Sequence, residues 1–373
     1  MNTQHTPIGL YIHIPFCKRK CPYCDFYSIN QDESLMDSYV AKICSEIRKL
    51  SNTYKITVDT LYLGGGTPGI LGTKRITKLI FSAQECFNLK NAEITIELNP
   101  TQKDALSFKE LLSSGINRLS FGVQSFNDIE LRQLGRTHDA KTAINAIKQA
   151  QHDGFENISI DLMLATPLQT LSSLTKSIET CKNLNIQHIS TYLLKIEPGT
   201  LFFKNQKSLK LPDEDLEKDM YLLTCEKLEK FGFRQYEISN FAIPGYQSRH
   251  NKKYWNCCEY IGLGPSAHSF FNGRRSYFER NIENFIKQPK IIDDGLGADE
   301  EEYVMLQLRL VSGVTPKKYY CKFGKSIPHT YIENAKKLPY VDTSNGIRLT
   351  REGFLVSNTL IGKILDTNNT SQY

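Results

Sequence analysis

The sequence predicts an α/β fold, in which a partial (β/α)6 barrel, similar to an incomplete TIM barrel, precedes a small helical, winged-helix-like domain. Two observations carry this prediction. Up to about residue 235, six apolar or β-branched runs alternate with stretches whose apolar residues recur at helical spacing. Beyond that point the alternation ends. Six strand–helix units are fewer than the eight of a closed barrel, so we expect an open one.

The alternating pattern up to residue 235 predicts the individual strands and helices. A parallel sheet is expected because each strand-like run is separated from the next by a stretch long enough for a crossover helix. The predicted strands are residues 9–14, 58–63, 93–98, 117–123, 158–164 and 188–195. The clearest amphipathic helices are predicted over residues 35–50, 140–150 and 171–184.

The rest of the chain is divided by composition. Residues 236–298 are rich in aromatics, glycine and asparagine, and we predict a connecting segment of loops and short strands. In the C-terminal domain, residues 299–373, we predict helices from about 299, over 331–337 and over 350–365, a short strand at 347–349 and a polar tail at 367–373. The alternating part, residues 1–235, is the predicted core domain.

Composition limits the functional classes. The 373 residues carry 46 basic and 40 acidic side chains, a net charge of +6, so no strong field favours a nucleic-acid partner, and none is expected. The N-terminus lacks the basic and apolar pattern of a signal peptide, which predicts a cytoplasmic protein. Ten cysteines in that compartment indicate metal or cluster chemistry rather than disulfides.

Three cysteines after the first predicted strand form the most informative motif. Cys17, Cys21 and Cys24 are spaced Cys-x3-Cys-x2-Cys. Three thiolates on one loop can hold three irons of a cubane iron–sulfur cluster and leave the fourth iron open to a small molecule. A structural zinc site would need a fourth ligand, commonly from a second paired motif, and none follows. The spacing therefore favours a cluster over zinc.

Polar residues also lie at the ends of the other predicted strands or, for Asp161, on the strand itself. Ligands of parallel sheets bind at the carboxyl ends of the strands, so these residues are expected to share one edge. They are the triple glycine at 64–66 with Thr67, then Glu97, Gln124 and Asp161. Each also has a structural interpretation: a tight turn for the glycines, a satisfied carboxylate for Glu97, and a solvated surface position for Gln124 or for Arg136 beyond it. Their convergence is what favours a binding site.

Together these motifs resemble the radical S-adenosylmethionine (SAM) superfamily. The resemblance implies a [4Fe–4S] cluster on the three cysteines, with SAM bound to its open iron. The segments around Gln124, Arg136 and Asp161 resemble the subgroup that contains oxygen-independent coproporphyrinogen III oxidase, where these positions contact SAM; Lys195 matches a further contact only poorly. The cofactor-binding candidates so implied are Tyr11, Tyr23, Phe26, Gly65, Gly66, Thr67, Glu97, Gln124, Arg136 and Asp161.

Two departures separate this chain from the oxidase. Phe26 stands where the oxidase motif has a fourth cysteine, and only sixteen residues precede Cys17. Both features are similar to the HemW-type heme chaperones of the subgroup, as is the run His250-Asn-x-x-Tyr-Trp255. Histidine is a common heme ligand, which makes His250 the candidate and His268 a second one. The residues alone favour a structural loop at His250, and for His13 they allow a buried, hydrogen-bonded histidine as readily as a role beside the cluster.

The resemblance implies a heme chaperone that binds heme and transfers it to an acceptor apoprotein. The alternative is an oxygen-independent coproporphyrinogen III oxidase; a radical methyltransferase on the same scaffold is a third interpretation. Whether SAM is ever turned over is left open by the residues. We expect a monomer or homodimer, and any membrane association would be peripheral and through the acceptor.

Overall fold

The computed structural model describes residues 6–366, and six parallel strands form the centre of its sheet. These strands are β1, β4, β5, β6, β7 and β8 in the following numbering. The elements are β1 (Ile8–Ile14), β2 (Phe16–Cys17), β3 (Ile29–Asn30), α1 (Glu33–Thr53), β4 (Val58–Gly65), α2 (Gly72–Cys86), β5 (Glu93–Leu98), α3 (Phe108–Ser113), β6 (Arg118–Gln124), α4 (Asp128–Gln133), α5 (Ala140–His152), β7 (Ile158–Leu164), α6 (Leu171–Asn183) and β8 (His188–Leu193).

Further strands extend this sheet at both edges. The next elements are α7 (Leu201–Lys204), α8 (Glu214–Lys230), β9 (Arg234–Gln235), β10 (Asn240–Ala242), α9 (Arg249–Trp255), β11 (Tyr260–Leu263), β12 (His268–Phe271), β13 (Arg274–Phe278), α10 (Ile282–Lys287) and β14 (Ile291–Leu296). The sheet order is β14-β13-β12-β11-β1-β4-β5-β6-β7-β8-β10-β9. β11 pairs with β1 in parallel, so its carboxyl end joins the same edge, whereas β10 is antiparallel to β8. The sheet stays open, as predicted.

A helical region with one short hairpin completes the described chain. It consists of α11 (Glu300–Gln307), α12 (Pro316–Phe323), α13 (His329–Lys336), β15 (Val341–Asp342), β16 (Arg348–Leu349), α14 (Arg351–Leu355) and α15 (Ser357–Leu365). The predicted α/β class, with a partial parallel barrel and a helical C-terminal region, is confirmed. The tail predicted at 367–373 lies outside the described residues. Within residues 6–366, no helix has the length and apolarity that a membrane span requires.

Local sequence explains most boundaries. The parallel strands are covered on both faces and are accordingly rich in isoleucine, leucine and valine, with β1 buried at six of its seven positions. Aspartates cap two of the predicted helices: Asp32 accepts from the Leu35 amide before α1, and Asp139 accepts from the Thr142 amide before α5.

Two local predictions were incomplete. The helix expected over 350–365 is two helices, because Val356 has φ −115° and ψ 24°, outside the helical region. The break lets α14 pack against α8 while α15 packs against α13. The segment predicted as loops with short strands also contains two short helices, α9, which carries the His250 motif, and α10. The apolar core continues from β1 through the barrel to α15.

Candidate functional site

The three motif cysteines lie at the carboxyl end of the parallel strands and line one cavity of about 420 Å³, called here the rim cavity. Cys17 ends β2, and Cys21 and Cys24 follow on the next loop; all three thiols are free and partly exposed. The fold brings most of the predicted SAM-site residues to this cavity. They are Tyr23, Phe26, Gly65, Gly66, Thr67, Glu97, Gln124, Arg136 and Asp161.

The thiols have polar neighbours that suit a cluster. The Cys17 Sγ lies 3.4 Å from the Thr67 hydroxyl, and Arg136 donates from Nη1 to the Cys21 Sγ at 3.5 Å. No three metal-binding side chains of the described chain meet around a single point. A cubane is held differently, since each thiolate binds its own iron, and donors to sulfur tune its potential. The three thiols and the guanidinium therefore fit an iron–sulfur cluster.

The triple glycine lets β4 end against the end of β1. Gly65 has φ +112°, and a Cβ there would lie 2.6 Å from the His13 ring; at Gly66 a Cβ would lie 2.7 Å from the Phe16 carbonyl. The His13 ring is buried and bonds to the Tyr11 hydroxyl at 3.1 Å and the Tyr27 carbonyl at 3.0 Å. The glycines are needed for close packing, and the amides of this turn are already engaged: Gly66 donates to the Ile14 carbonyl and Thr67 to the Phe16 carbonyl, both at 2.8 Å.

Two carboxyl groups face this cavity. Glu97 accepts from the Tyr62 hydroxyl at 2.8 Å and the Gly65 amide at 3.1 Å, and Asp161 accepts from the Ser120 hydroxyl at 3.3 Å. Burial, with a further contribution from Asp161, raises the pKa of Glu97 to about 7; burial also raises the pKa of Asp161. Two acids held together in this way favour a ligand that carries positive charge.

Of the three remaining candidate residues, Gln124 and Arg136 line the rim cavity and Lys195 does not. Gln124 ends β6 at φ 74°, beside a register shift in the β6–β7 pairing, a conformation that costs energy for a residue with a Cβ and is common at functional sites. Arg136 also donates to the Gly122 carbonyl. Lys195, in contrast, is exposed and forms a surface ion pair with Glu197 at 2.7 Å.

The His250 motif lies at the opposite, amino-terminal end of the strands. Helix α9 is fixed there because Glu93, the first residue of β5, accepts from the amides of Arg249 and His250 at 2.9 and 3.0 Å. The His250 ring is 1% exposed and bonds to the hydroxyls of Thr60 and Tyr254, both at 2.8 Å. Burial lowers its pKa to about 3. Both ring nitrogens are therefore engaged within the barrel.

A second cavity of about 500 Å³ lies inside the barrel between these two ends, and Tyr11, His250 and Trp255 line it. Sequence reasoning missed Glu237, which also faces this cavity, is 0% exposed and has no hydrogen-bond partner for either carboxylate oxygen in the described chain. Burial raises its pKa to about 7. The only signal in the sequence was an acidic residue between two short strand-like runs.

Comparisons with known proteins identify the family of this chain. A family model described as the radical SAM superfamily matches residues 11–181. The heme chaperone HemW of Bacillus subtilis (strain 168) is 35% identical, over 95% of this chain and 98% of that protein. The mitochondrial radical S-adenosyl methionine domain-containing protein 1 of Danio rerio is 32% identical, over 96% and 86%.

A solved structure resembles the whole fold. Coproporphyrinogen III oxidase (HemN) from Escherichia coli, a radical SAM enzyme, superposes with a TM-score of 0.81 over 96% of this chain and 90% of that one, at 23% identity. At that identity the likeness concerns the fold. The similarity to the Bacillus protein extends along nearly the full length of both chains, and it confirms the predicted resemblance. This chain belongs to the HemW family of the radical SAM superfamily.

Proposed function

We propose that this protein is a cytoplasmic heme chaperone, which binds heme and passes it to an acceptor apoprotein. The observation that carries the proposal is the similarity, at 35% identity over 95% of the chain, to a relative named as a heme chaperone. Phe26 supports it, because its phenyl group, which cannot ligate iron, stands where the oxidase motif supplies a cysteine.

In this proposal Cys17, Cys21 and Cys24 hold a [4Fe–4S] cluster. Such a cluster, when bound, supplies an electron and an open iron to SAM. The chain's own residues would bind and orient SAM: the glycine-rich end of β4 forms part of the cavity wall, and Glu97 and Asp161 offer negative charge to a ligand with a sulfonium and an ammonium group.

Iron and sulfide analysis after anaerobic reconstitution tests the cluster. Cys17→Ala, Cys21→Ala and Cys24→Ala should each lose most of the bound iron. Cys321→Ala, which removes an exposed thiol outside the rim cavity, is the matched control and should keep it. If any of the three loop variants kept the iron content of the wild-type chain, the proposed cluster would be refuted.

Hemin titration followed by absorbance tests the chaperone function. We expect saturable binding near one heme per chain, and loss of that heme from the chain when an apoprotein acceptor is added. His250 is the ligand proposed from the sequence, and binding iron through Nε2 would require its bond to Tyr254 to break. His250→Gln is therefore titrated alongside. No saturable binding by the wild-type chain would refute the function.

The oxidase alternative draws on the same rim cavity, since nine predicted SAM-site residues line it. The oxidase function requires turnover of SAM and coproporphyrinogen III. Anaerobic incubation of the reconstituted protein with coproporphyrinogen III, SAM and a reductant, followed by product analysis, separates the two functions. A chaperone yields no protoporphyrinogen, whereas stoichiometric or greater conversion would replace our proposal with the oxidase.

A further inference from the structure

Tyr62 on β4 holds one of the two carboxyl groups of the rim cavity from behind. Its hydroxyl donates to Glu97 Oε1 at 2.8 Å, and in the described chain the only other hydrogen bond to this carboxyl comes from the Gly65 amide, at 3.1 Å. Glu97 lines both the rim cavity and the cavity inside the barrel, whereas Tyr62, of these two, lines the second. Tyr62 would therefore act on a ligand of the rim cavity through Glu97.

The packing around Tyr62 fixes the direction of its hydroxyl. The ring is buried and stacks on the His250 ring, with centroids 5.1 Å apart and planes at 28°. The His250 ring is itself held by hydrogen bonds to the hydroxyls of Thr60 and Tyr254. A buried and stacked ring has little freedom to turn away, so the Tyr62 hydroxyl stays directed at Glu97.

Gly64, the first glycine of the triple-glycine motif, makes room for this contact. It lies two residues after Tyr62 on the same strand, so the two Cβ positions face the same side of the sheet. A Cβ at Gly64 would lie 2.9 Å from the Tyr62 ring and 3.1 Å from the Glu97 carboxyl. The other two glycines of the motif face different groups, so this glycine has a separate role.

The hydrogen bond from Tyr62 favours the ionised carboxyl. Burial raises the pKa of Glu97 to about 7, and the donors Tyr62 and Gly65 oppose that rise. The other titratable groups that face Glu97 are Tyr11 on β1, Arg118 on β6, Asp161 on β7, Tyr192 on β8 and Tyr254 on α9. None of them forms a hydrogen bond with it in the range 6–366. Tyr62 is thus the one side chain of that range that donates to this carboxyl.

We propose that Tyr62 is a positioning residue of the SAM site. Its hydroxyl holds the Glu97 carboxylate toward the rim cavity, where a sulfonium and an ammonium group would bind, and residue 64 is a glycine because a side chain there would break this contact. The role rests on the proposed function, since it requires SAM in the rim cavity. Tyr62 changes the affinity for SAM through Glu97 and contacts no reacting atom.

Calorimetric titration of the reconstituted, full-length chain with SAM at pH 7 and pH 9 tests this role. Tyr62→Phe keeps the ring and removes the donor, so a larger fraction of Glu97 is neutral at pH 7, and SAM should bind about fivefold more weakly than to wild type. At pH 9 Glu97 is ionised in both chains, and the affinities should agree within about twofold. Tyr319→Phe, which removes a tyrosine hydroxyl bonded to Glu300, is the matched control and should bind SAM as wild type does at both pH values.

Infrared spectroscopy of the reconstituted chain without SAM observes the same carboxyl directly. The carboxylic C=O band that is absent from Glu97→Gln should titrate about one pH unit or more higher in Tyr62→Phe than in wild type. Gly64→Ala should shift the band in the same direction. Its shift should be much smaller in the Tyr62→Phe background, because the two substitutions disrupt one contact.

The outcomes separate a positioning role from a structural one. A loss of SAM affinity of the same size at pH 7 and pH 9, or an unshifted band in Tyr62→Phe, would overturn the inference and leave the proposed SAM site and the chaperone function standing. A wild-type chain that binds no SAM at either pH would overturn the inference together with the proposed SAM site, while the hemin titration would still decide the chaperone function.

Discussion

Replacing Glu237 by glutamine tests whether this buried acid is neutral in the folded protein. Glu237 lies between β9 and β10 and is 0% exposed, and no donor among residues 6–366 forms a well-aligned hydrogen bond with its carboxylate. Burial raises its pKa from 4.5 to about 7, although the nearby Ser239 and Asn240 amides and the charge of Arg309 oppose the shift. The folded protein therefore favours the neutral acid.

The direction of the pH effect follows from this pKa. A carboxyl with a raised pKa in the folded state binds its proton more tightly there, so its stabilising contribution is complete below pH 4.5 and is lost as the pH rises through about 7. The full loss is about 3 kcal/mol, of which about 2.5 kcal/mol falls between pH 5 and pH 8. Glutamine cannot ionise, so Glu237→Gln escapes this loss.

The assay is urea unfolding of cluster-free, full-length chains at pH 5 and pH 8. The free energy of unfolding of Glu237→Gln, relative to wild type, should rise by about 2 to 3 kcal/mol from the lower to the higher pH. Changes in hydrogen bonding that do not depend on pH cancel in this comparison. Glu110→Gln, at an exposed position on α3, is the control and should show no such rise. An equal difference at both pH values would refute the buried neutral acid.

Three further predictions concern the rim cavity. Gly72→Ala should cost about 1 to 3 kcal/mol in urea unfolding, because its φ of 73° and ψ of 162° define a conformation essentially restricted to glycine, although its surroundings are open. Gly65→Ala should cost more because a Cβ there also meets the His13 ring; equal costs would contradict the packing. SAM affinity, measured by calorimetry on reconstituted protein, should rise about tenfold from pH 6 to pH 8 as Glu97 ionises and not in Glu97→Gln; a rise in both would implicate another group. Arg136→Gln should lower the cluster midpoint potential by roughly 60 mV or more in an EPR titration, since it removes a charged donor to sulfur; an unchanged potential would show that this contact is absent.

The barrel strands were predictable because burial on both faces makes each a continuous apolar run. The run predicted at 117–123 is β6 at Arg118–Gln124, and that at 158–164 is β7 with the same bounds. The meeting of Glu97, Gln124 and Asp161 at one cavity followed from the same reasoning, since parallel strands share a carboxyl edge. Features that follow from a general rule of sheet topology could therefore be predicted from the sequence.

Contacts between distant segments were not predictable in this way. Nothing local to residues 260–263 indicates that they pair with β1, some 250 residues earlier, and thereby bring His268 near the cysteine loop. Helix α9 is short, and its position depends on Glu93 accepting two of its amides. Short elements gain stability mainly from tertiary contacts, which periodicity does not report.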